Sequence, residues 1–314
     1  MKKEMRYAYE VYKEKSFSKA AKALFISQPA LSAIIKRLEA ELQEPLFDRS
    51  TNPIRLTDAG IYYMQNVEQI MAIENNMHDY FEDRSDLKKG SLRIGGTTFF
   101  CAYVISPLIH QFTSAYPGIH LDLIETSSME LETLLLEGKL DLIFDSTPFN
   151  TDLVEKNPLY EEEILLAVPA SWEINEQLIS SRFTFSEIRE DQHLISNRFV
   201  PLSLFADLPF LFLREGNDLY SRCLSICRDA GFTPDIRMHL DQMTTLYHLA
   251  KAQMGAAFLR DSVMHYEFPT DQLYFYRLDS PLNKRQVSIS YKKNRYLSKA
   301  MKAFITFYQN AYQA

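Results

Sequence analysis

Ser27, Gln28, Pro29 and Ala30 stand in a row, and Ser32, Ala33, Lys36 and Arg37 follow at helical spacing. A glutamine can form paired hydrogen bonds with adenine, a serine can meet several bases, and an alanine methyl can touch a thymine methyl. Lys36 and Arg37 suit phosphates, which fix register without reading sequence. Arg49 and Arg55 flank the turn-forming pair Asn52-Pro53 and could reach a nucleic-acid backbone or minor groove. Taken alone, the stretch Ser27–Leu42 fits a solvated helix face equally well, and the two arginines could be ordinary exposed residues of a hairpin. A second group carries different chemistry. Thr97 and Thr98 follow one strand-like run, Ser127 and Ser128 follow a second, and Asp145 ends a third. Asn217, Met243 and Thr244 hold similar places further along. Hydroxyls beside helix N-termini suit a carboxylate or another anion, whereas Asp145 would hold an amine or a cation. Each hydroxyl has a plain alternative in capping its own helix; for Ser127 and Ser128 the reading is a cap for one and a ligand contact for the other. Arg198 and Arg214 read as surface cations.

The elements that must position these residues are legible from caps and periodicity. Residues 1–15 form a helix, Ser18 caps a short helix over 19–24, and Ser27 caps the next. Pro29 falls in that helix's first turn, where a missing N–H costs nothing. Leu31, Ile34, Ile35, Leu38 and Leu42 supply its buried stripe. A short helix, a tight turn and a capped second helix make a helix-turn-helix, followed at 44–60 by two short extended pieces that would form a wing. Thr57 caps a helix reaching Leu87, with Tyr63, Val67, Ile70, Met77 and Phe81 on a heptad seam that calls for a second copy of the chain. Lys88-Lys89-Gly90 ends it. Beyond lie two strand–helix–strand–helix–strand units, 91–145 and 209–259, each predicting a parallel sheet. Ser127 and Glu130 have the spacing of a capping box. Two such units joined by two crossings imply a cleft between them.

The totals bound the function. The net charge of −7 divides into +3 over residues 1–58 and −10 over the rest, a basic front joined to an acidic body. No apolar run is long enough for a membrane span and no secretory signal opens the chain, so a cytoplasmic protein is expected. The three cysteines form no spaced framework; Cys101 reads as a buried thiol or a redox sensor, Cys223 and Cys227 as core residues. No nucleophile elbow, zinc-protease motif, phosphate loop or dinucleotide fingerprint occurs, so neither catalysis nor a metal nor a cofactor is expected.

Residues 16–21 (SFSKAA), 27–32 (SQPALS), 36–39 (KRLE), 46–49 (LFDR) and 56–60 (LTDAG) together resemble the N-terminal signature of LysR-type transcriptional regulators. The resemblance continues through 92–95 (LRIG), 137–142 (EGKLDL), 230–232 (AGF) and 254–257 (MGAA). It implies a winged helix-turn-helix DNA-binding domain over 1–60, a linker and dimerisation helix over 61–89, and a two-lobed α/β effector-binding domain like a periplasmic binding protein over 90–314. Lobe I would comprise 90–165 and 269–314, and lobe II 166–268. It also implies a dimer of dimers on double-stranded DNA, with a small-molecule effector between the lobes altering DNA bending. Effector contacts would fall at Thr97, Thr98, Ser127 and Ser128. Three departures stand out. Ala33 and Ile34 replace residues that are commonly polar, which shifts base readout to Gln28, Pro29, Ser32 and DNA shape. Gln43 stands in place of a helix-ending glycine. The stretch 171–207 is longer than in many relatives.

Overall fold

The computed structural model describes residues 1–51, 53–85 and 90–313. Asn52 of the wing turn, Leu87 at the end of the long helix, the Lys88-Lys89 break and Ala314 lie outside the described residues. The chain divides into Met1–Leu87 with Leu136–Lys139, and Lys88–Leu135 with Leu140–Ala314.

The first unit opens with α1 (Lys3–Glu14), α2 (Phe17–Ala23) and α3 (Gln28–Leu42), and continues with β1 (Phe47–Asp48), β2 (Arg55–Leu56) and α4 (Asp58–Ser85). α2 starts earlier than its sequence suggests. Ser16, not Ser18, is the cap, its Oγ accepting the Lys19 N–H at 3.4 Å. Burial of Phe17, edge-on to Phe47 at 5.8 Å, draws that residue into the first turn. The Ser27 cap forms as expected, its Oγ accepting the Ala30 N–H at 3.3 Å. Leu31, Ile35 and Leu38 are buried, Ile34 is half-buried and Leu42 is exposed. The stripe stops at Leu38 because the chain reverses at Gln43, which adopts a left-handed conformation with φ 57° without a glycine. Glu39 ties α3 to the wing: its Oε1 accepts the Leu46 and Phe47 N–H groups at 2.9 and 3.3 Å. β1 and β2 pair antiparallel, and Thr57 caps α4 through the Gly60 N–H at 3.0 Å. Met64 and Val67 on α4 are buried, while Ile73, Met77 and Phe81, each one turn apart, are exposed.

The second unit holds β3 (Gly90–Gly96), α5 (Ser106–Ala115), β4 (Ile119–Glu125), α6 (Ser128–Leu136), β5 (Leu142–Asp145) and β6 (Val154–Pro169). Next come α7 (Ile174–Gln177), α8 (Phe185–Arg189), β7 (Phe199–Val200), β8 (Pro209–Leu213), α9 (Asp218–Asp229), β9 (Asp235–Leu240), α10 (Met243–Lys251) and β10 (Ala256–Arg260). β11 (Leu273–Leu278), β12 (Lys284–Lys292) and α11 (Lys299–Gln313) close it. β3 pairs parallel with β4 and β5, and β8 pairs parallel with β9 and β10. β6 joins the two lobes. Its first part pairs antiparallel with β12 and its last part with β10 and β11. Only its apolar end, 164–168, has a sequence that reads as a strand. The charged half has no strand-like pattern because its carboxylates meet cations on the neighbouring strands: Glu162 pairs with Arg285 of β12 at 2.7 Å and Glu163 with Arg277 of β11 at 2.8 Å.

One lobe boundary changes. The reading assigned 269–314 to lobe I, but β11 hydrogen-bonds to β6 at Leu165–Pro169 and runs beside β7, so the return crossing comes after Leu278. The long stretch 171–207 folds onto that same sheet. Phe183 exchanges backbone hydrogen bonds with Phe275 at 2.8 and 2.9 Å, and Phe183, Phe185 and Ile188 are buried. The capping box expected at Ser127 is half formed. Ser127 Oγ accepts the Glu130 N–H at 3.3 Å, but the Glu130 carboxylate accepts the Thr126 hydroxyl instead of reaching back to a backbone N–H.

Asp141 fastens β5 to its neighbours. Its carboxylate accepts the Arg93 backbone N–H at 2.7 Å, Arg93 Nη2 at 2.7 Å and the Arg295 guanidinium. Burial alone would raise its pKa, but these partners outweigh burial and lower it. A lowered carboxyl contributes stability above the ordinary range, and that contribution is lost as pH falls through the lowered value. Asp141→Asn should therefore cost about 3–5 kcal/mol in urea unfolding at pH 7, and the gap to the unsubstituted protein should narrow in acid; a constant gap would contradict this account. Phe25 raises a separate expectation. It has φ 55° and is 95% exposed, so it carries backbone strain with no burial in return. Phe25→Asn should raise stability by about 0.5–1 kcal/mol, read as a higher Tm. An unchanged or lower Tm would count against strain at this turn.

Candidate DNA-reading helix and ligand cleft

The first turn of α3 projects from its domain because its apolar stripe points the other way. Ser27, Gln28, Pro29 and Ala30 are exposed, as are Ala33, Lys36 and Arg37, and Ser32 is half-buried. Arg37 Nη2 lies 3.7 Å from Glu4 Oε1, an exposed pair that water and salt weaken. The two wing arginines differ. Arg55 is exposed on β2. Arg49 is exposed as well but is tied back to the domain, its Nη2 donating to Glu39 Oε2 at 2.7 Å and its guanidinium 5.0 Å from the centre of the Phe17 ring. The Glu39–Arg49 link was invisible in sequence because its partners sit on different elements.

The second site is a cavity of about 360 Å³ between the lobes, within the range of small-molecule pockets. It lies beyond the carboxyl ends of β3, β4, β8, β9 and β10, as expected for parallel sheets. Thr97, Thr98, Ser127, Asn217, Met243 and Thr244 all line it. Two expected residues do not. Ser128 is buried as the first residue of α6. Asp145 is buried too, its Oδ1 occupied by the Ser146 N–H at 2.6 Å, the Thr147 N–H at 2.9 Å and the Thr147 hydroxyl at 2.8 Å. The turn after β5 takes up Oδ1, while Oδ2 is enclosed without a hydrogen-bond partner and does not line the cavity. Several wall groups are already engaged: Ser127 caps α6, Asn217 Oδ1 accepts the Leu219 N–H at 3.0 Å, and Thr98 donates to Glu125 Oε1 at 2.5 Å.

A π-helical turn over Phe100–Ile105 leads from β3 into α5 and brings Phe99, Ala102 and Tyr103 to the cavity. Such wide turns recur at functional sites. Arg214, read as a surface cation, does line the cavity but is largely exposed and pairs with Asp241 at 3.0 Å. Arg198 instead lies over the Phe183 ring and pairs with Glu187 at 2.8 Å.

Sequence reasoning passed over Arg260. It ends β10, is 5% exposed and lines the cavity. Its guanidinium lies 4.8 Å from the centre of the Phe99 ring and 4.6 Å from that of Phe100. The nearest carboxylate contact is Nε to Glu162 Oε1, at 3.8 Å. Nε and Nη1 are enclosed without a hydrogen-bond partner. Burial lowers its pKa and Glu162 opposes that effect; an arginine remains cationic throughout. The available signal was a charge closing an otherwise apolar strand, Ala256–Arg260, at the end where ligands bind.

Cys101 faces away from thiolate chemistry. It is buried, its Sγ donates to the Gly96 carbonyl at 3.4 Å, and burial followed by the Glu125 charge pushes its pKa up to about 11. Burial raises Cys227 to about 12, and it raises Cys223 as well. Iodoacetamide labelling of the folded protein should therefore be slow at pH 7.5, where roughly one Cys101 thiol in a few thousand is ionised. Fast labelling at neutral pH would contradict the assignment. Among the described residues no cluster of side chains could hold a metal ion, and no helix is long and apolar enough to cross a membrane.

An exposed helix beside a two-strand wing, together with a two-lobed α/β domain holding a cleft, is the arrangement of a transcriptional regulator with a helix-turn-helix and an effector-binding domain. Residues 3–61 match the bacterial regulatory helix-turn-helix proteins of the lysR family and residues 85–313 match the LysR substrate binding domain, so the chain belongs to the LysR family of transcriptional regulators. It is 30% identical to the uncharacterized HTH-type transcriptional regulator YcgK of Bacillus subtilis, over 96% of this chain and 92% of that protein. A probable RuBisCO transcriptional regulator of Trichormus variabilis is 26% identical, over 96% and 85%. Full-length OxyR from Pseudomonas aeruginosa shares the fold with a TM-score of 0.70 at 22% identity, covering 98% of this chain and 93% of that one. CbnR in complex with its target DNA shares it with a TM-score of 0.62 at 20% identity, covering 99% and 100%.

Proposed function

We propose that this regulator lays α3 in the major groove of double-stranded DNA and alters its hold on that DNA when a small anionic effector fills the cleft. The observation that carries this reading is the exposed, small and polar first turn of α3, set opposite the buried stripe of Leu31, Ile35 and Leu38. A residue there has nothing to cover within its own domain, and DNA is what the likeness to the CbnR complex suggests in its place. Gln28 and Ser32 read base edges, with Ser27, Pro29, Ala30 and Ala33 against the groove. Lys36, Arg37 and Arg55 meet phosphates, and Arg49 braces the wing against Glu39 of α3. The exposed stripe of Ile73, Met77 and Phe81 pairs α4 with a second copy, since such a face is costly to leave wet. Dimers pair again on interrupted palindromes, and the ligand shifts how that assembly bends DNA. The protein acts in the cytoplasm and turns over no substrate.

Gln28→Ala and Arg37→Ala separate the two kinds of DNA contact. On duplexes selected from the organism's own genome, Gln28→Ala should cost about 1–3 kcal/mol while sparing random duplexes. Arg37→Ala should weaken both and reduce the slope of log affinity against log salt by about one. Equal losses for the two variants on both duplexes would refute the assignment of α3.

A further inference from the structure

We propose that Arg260 is the anchor for the effector, and that the effector is a small carboxylate whose negative group docks on this one guanidinium. The inference rests on the cleft being the ligand site and adds the chemistry of what enters it. A buried cation normally has its hydrogen-bond donors filled, because an unfilled donor in a low-dielectric site is costly. Arg260 departs from that rule at the wall of a cavity. Its Nε and Nη1 have no hydrogen-bond partner, and Glu162, the nearest carboxylate, is 3.8 Å from Nε. Glu162 is meanwhile drawn the other way by Arg285 Nη2, at 2.7 Å. Arg285 also faces Asp218 at the start of α9, at 3.1 Å. Arg285 also leaves Nε and Nη1 without hydrogen bonds, but two carboxylates stand at 2.7 and 3.1 Å from it, whereas the ion pair of Arg260 is at 3.8 Å; of the two, Arg260 is the cation whose charge is less matched.

The surroundings select the class of anion. Phe99 and Phe100 lie within 4.8 Å of the guanidinium and hold it in place. The planar edge of a guanidinium matches the planar fork of a carboxylate. The other cation of the wall, Arg214, is paired with Asp241. Glu125 and Glu215 also line the cavity. A doubly charged phosphate would meet these two carboxylates with one unpaired arginine to offset them, whereas a single carboxylate is matched by Arg260 alone. Thr97 and Thr244 supply hydroxyls for the rest of a short polar ligand. Arg260 belongs to β10 of one lobe and the two phenylalanines follow β3 of the other. A carboxylate seated here therefore engages both lobes at once, which is how occupancy would bias their closure.

The test uses the full-length protein in thermal-shift and calorimetric titrations with acetate, lactate, alanine and succinate. Each is run beside its neutral amide, and inorganic phosphate is run at matched ionic strength. A carboxylate of this panel should raise the Tm progressively with concentration, as binding to the native state requires, while its amide and phosphate do not. Arg260→Gln should weaken that carboxylate by about tenfold or more, the loss of a charge-assisted hydrogen bond. Arg260→Lys, which keeps the charge on a different shape, should recover part of the affinity and shows that the site still folds. The inference is overturned by an amide that works as well as its acid, by phosphate binding more tightly, by a panel without any response, or by Arg260→Gln binding as the unsubstituted protein does. Affinity for the selected duplexes is measured in parallel. If it is present while the carboxylates fail, the anchor is wrong and the regulator reading stands; if it is absent, that reading itself fails.

Discussion

β6 runs for 16 residues through both lobes, paired antiparallel with β12 on one side of the crossing and with β10 and β11 on the other. The ligand cleft depends on this continuity. A hydrogen-bonded strand cannot turn over midway, so the orientation of each lobe's sheet follows from its pairing with β6. The parallel strands β3, β4, β8, β9 and β10 then all deliver their carboxyl ends to one crevice. Loops leave strands at those ends, and helices begin there with unpaired N–H groups. A polar cavity at that place is a consequence of backbone direction before any side chain is chosen.

The crossing is also where the protein buries charge. Glu162 and Glu163 on β6 face Arg285 and Arg277, at 2.7 and 2.8 Å. Buried pairs contribute little net stability over an apolar alternative, but breaking one is strongly destabilising. Their value here is positional: each links β6 to a different neighbour, β12 for Arg285 and β11 for Arg277. Arg277 is close to fully used, since it also donates to the carbonyls of His193 and Ser196. Arg260 contrasts with it at the edge of the same region, being enclosed to a similar degree yet short of acceptors.

The front domain solves an opposite problem, which is to keep a helix exposed and still hold it firmly. α3 buries one narrow stripe and fixes its far end by a carboxylate, Glu39, which receives two backbone N–H groups and the Arg49 guanidinium. The first turn needs no such anchoring, because Ser27 satisfies an N–H there and Pro29 removes another. Stiffness at the rear of the helix thereby coexists with an open front.

Much of this was legible beforehand. Ser27, Pro29 and Thr57 act within a few residues of themselves, and the units 91–145 and 209–259 follow local periodicity, so helix starts, the winged motif and the parallel units could be read from local pattern. Six of the cleft residues followed from the same logic, since a position just after a strand is a place in the sequence as well as in space. What only the tertiary structure decided were matters of long-range partnership. Ser16 replaced Ser18 as a cap because Phe17 found Phe47. β11 joined the second lobe because β6 offered it an edge. Asp145 and Ser128 were withdrawn from the cleft by burial, and Arg260 was brought to it by rings far away in the chain. Burial and ion pairing depend on which distant residues arrive, and no local spacing encodes that.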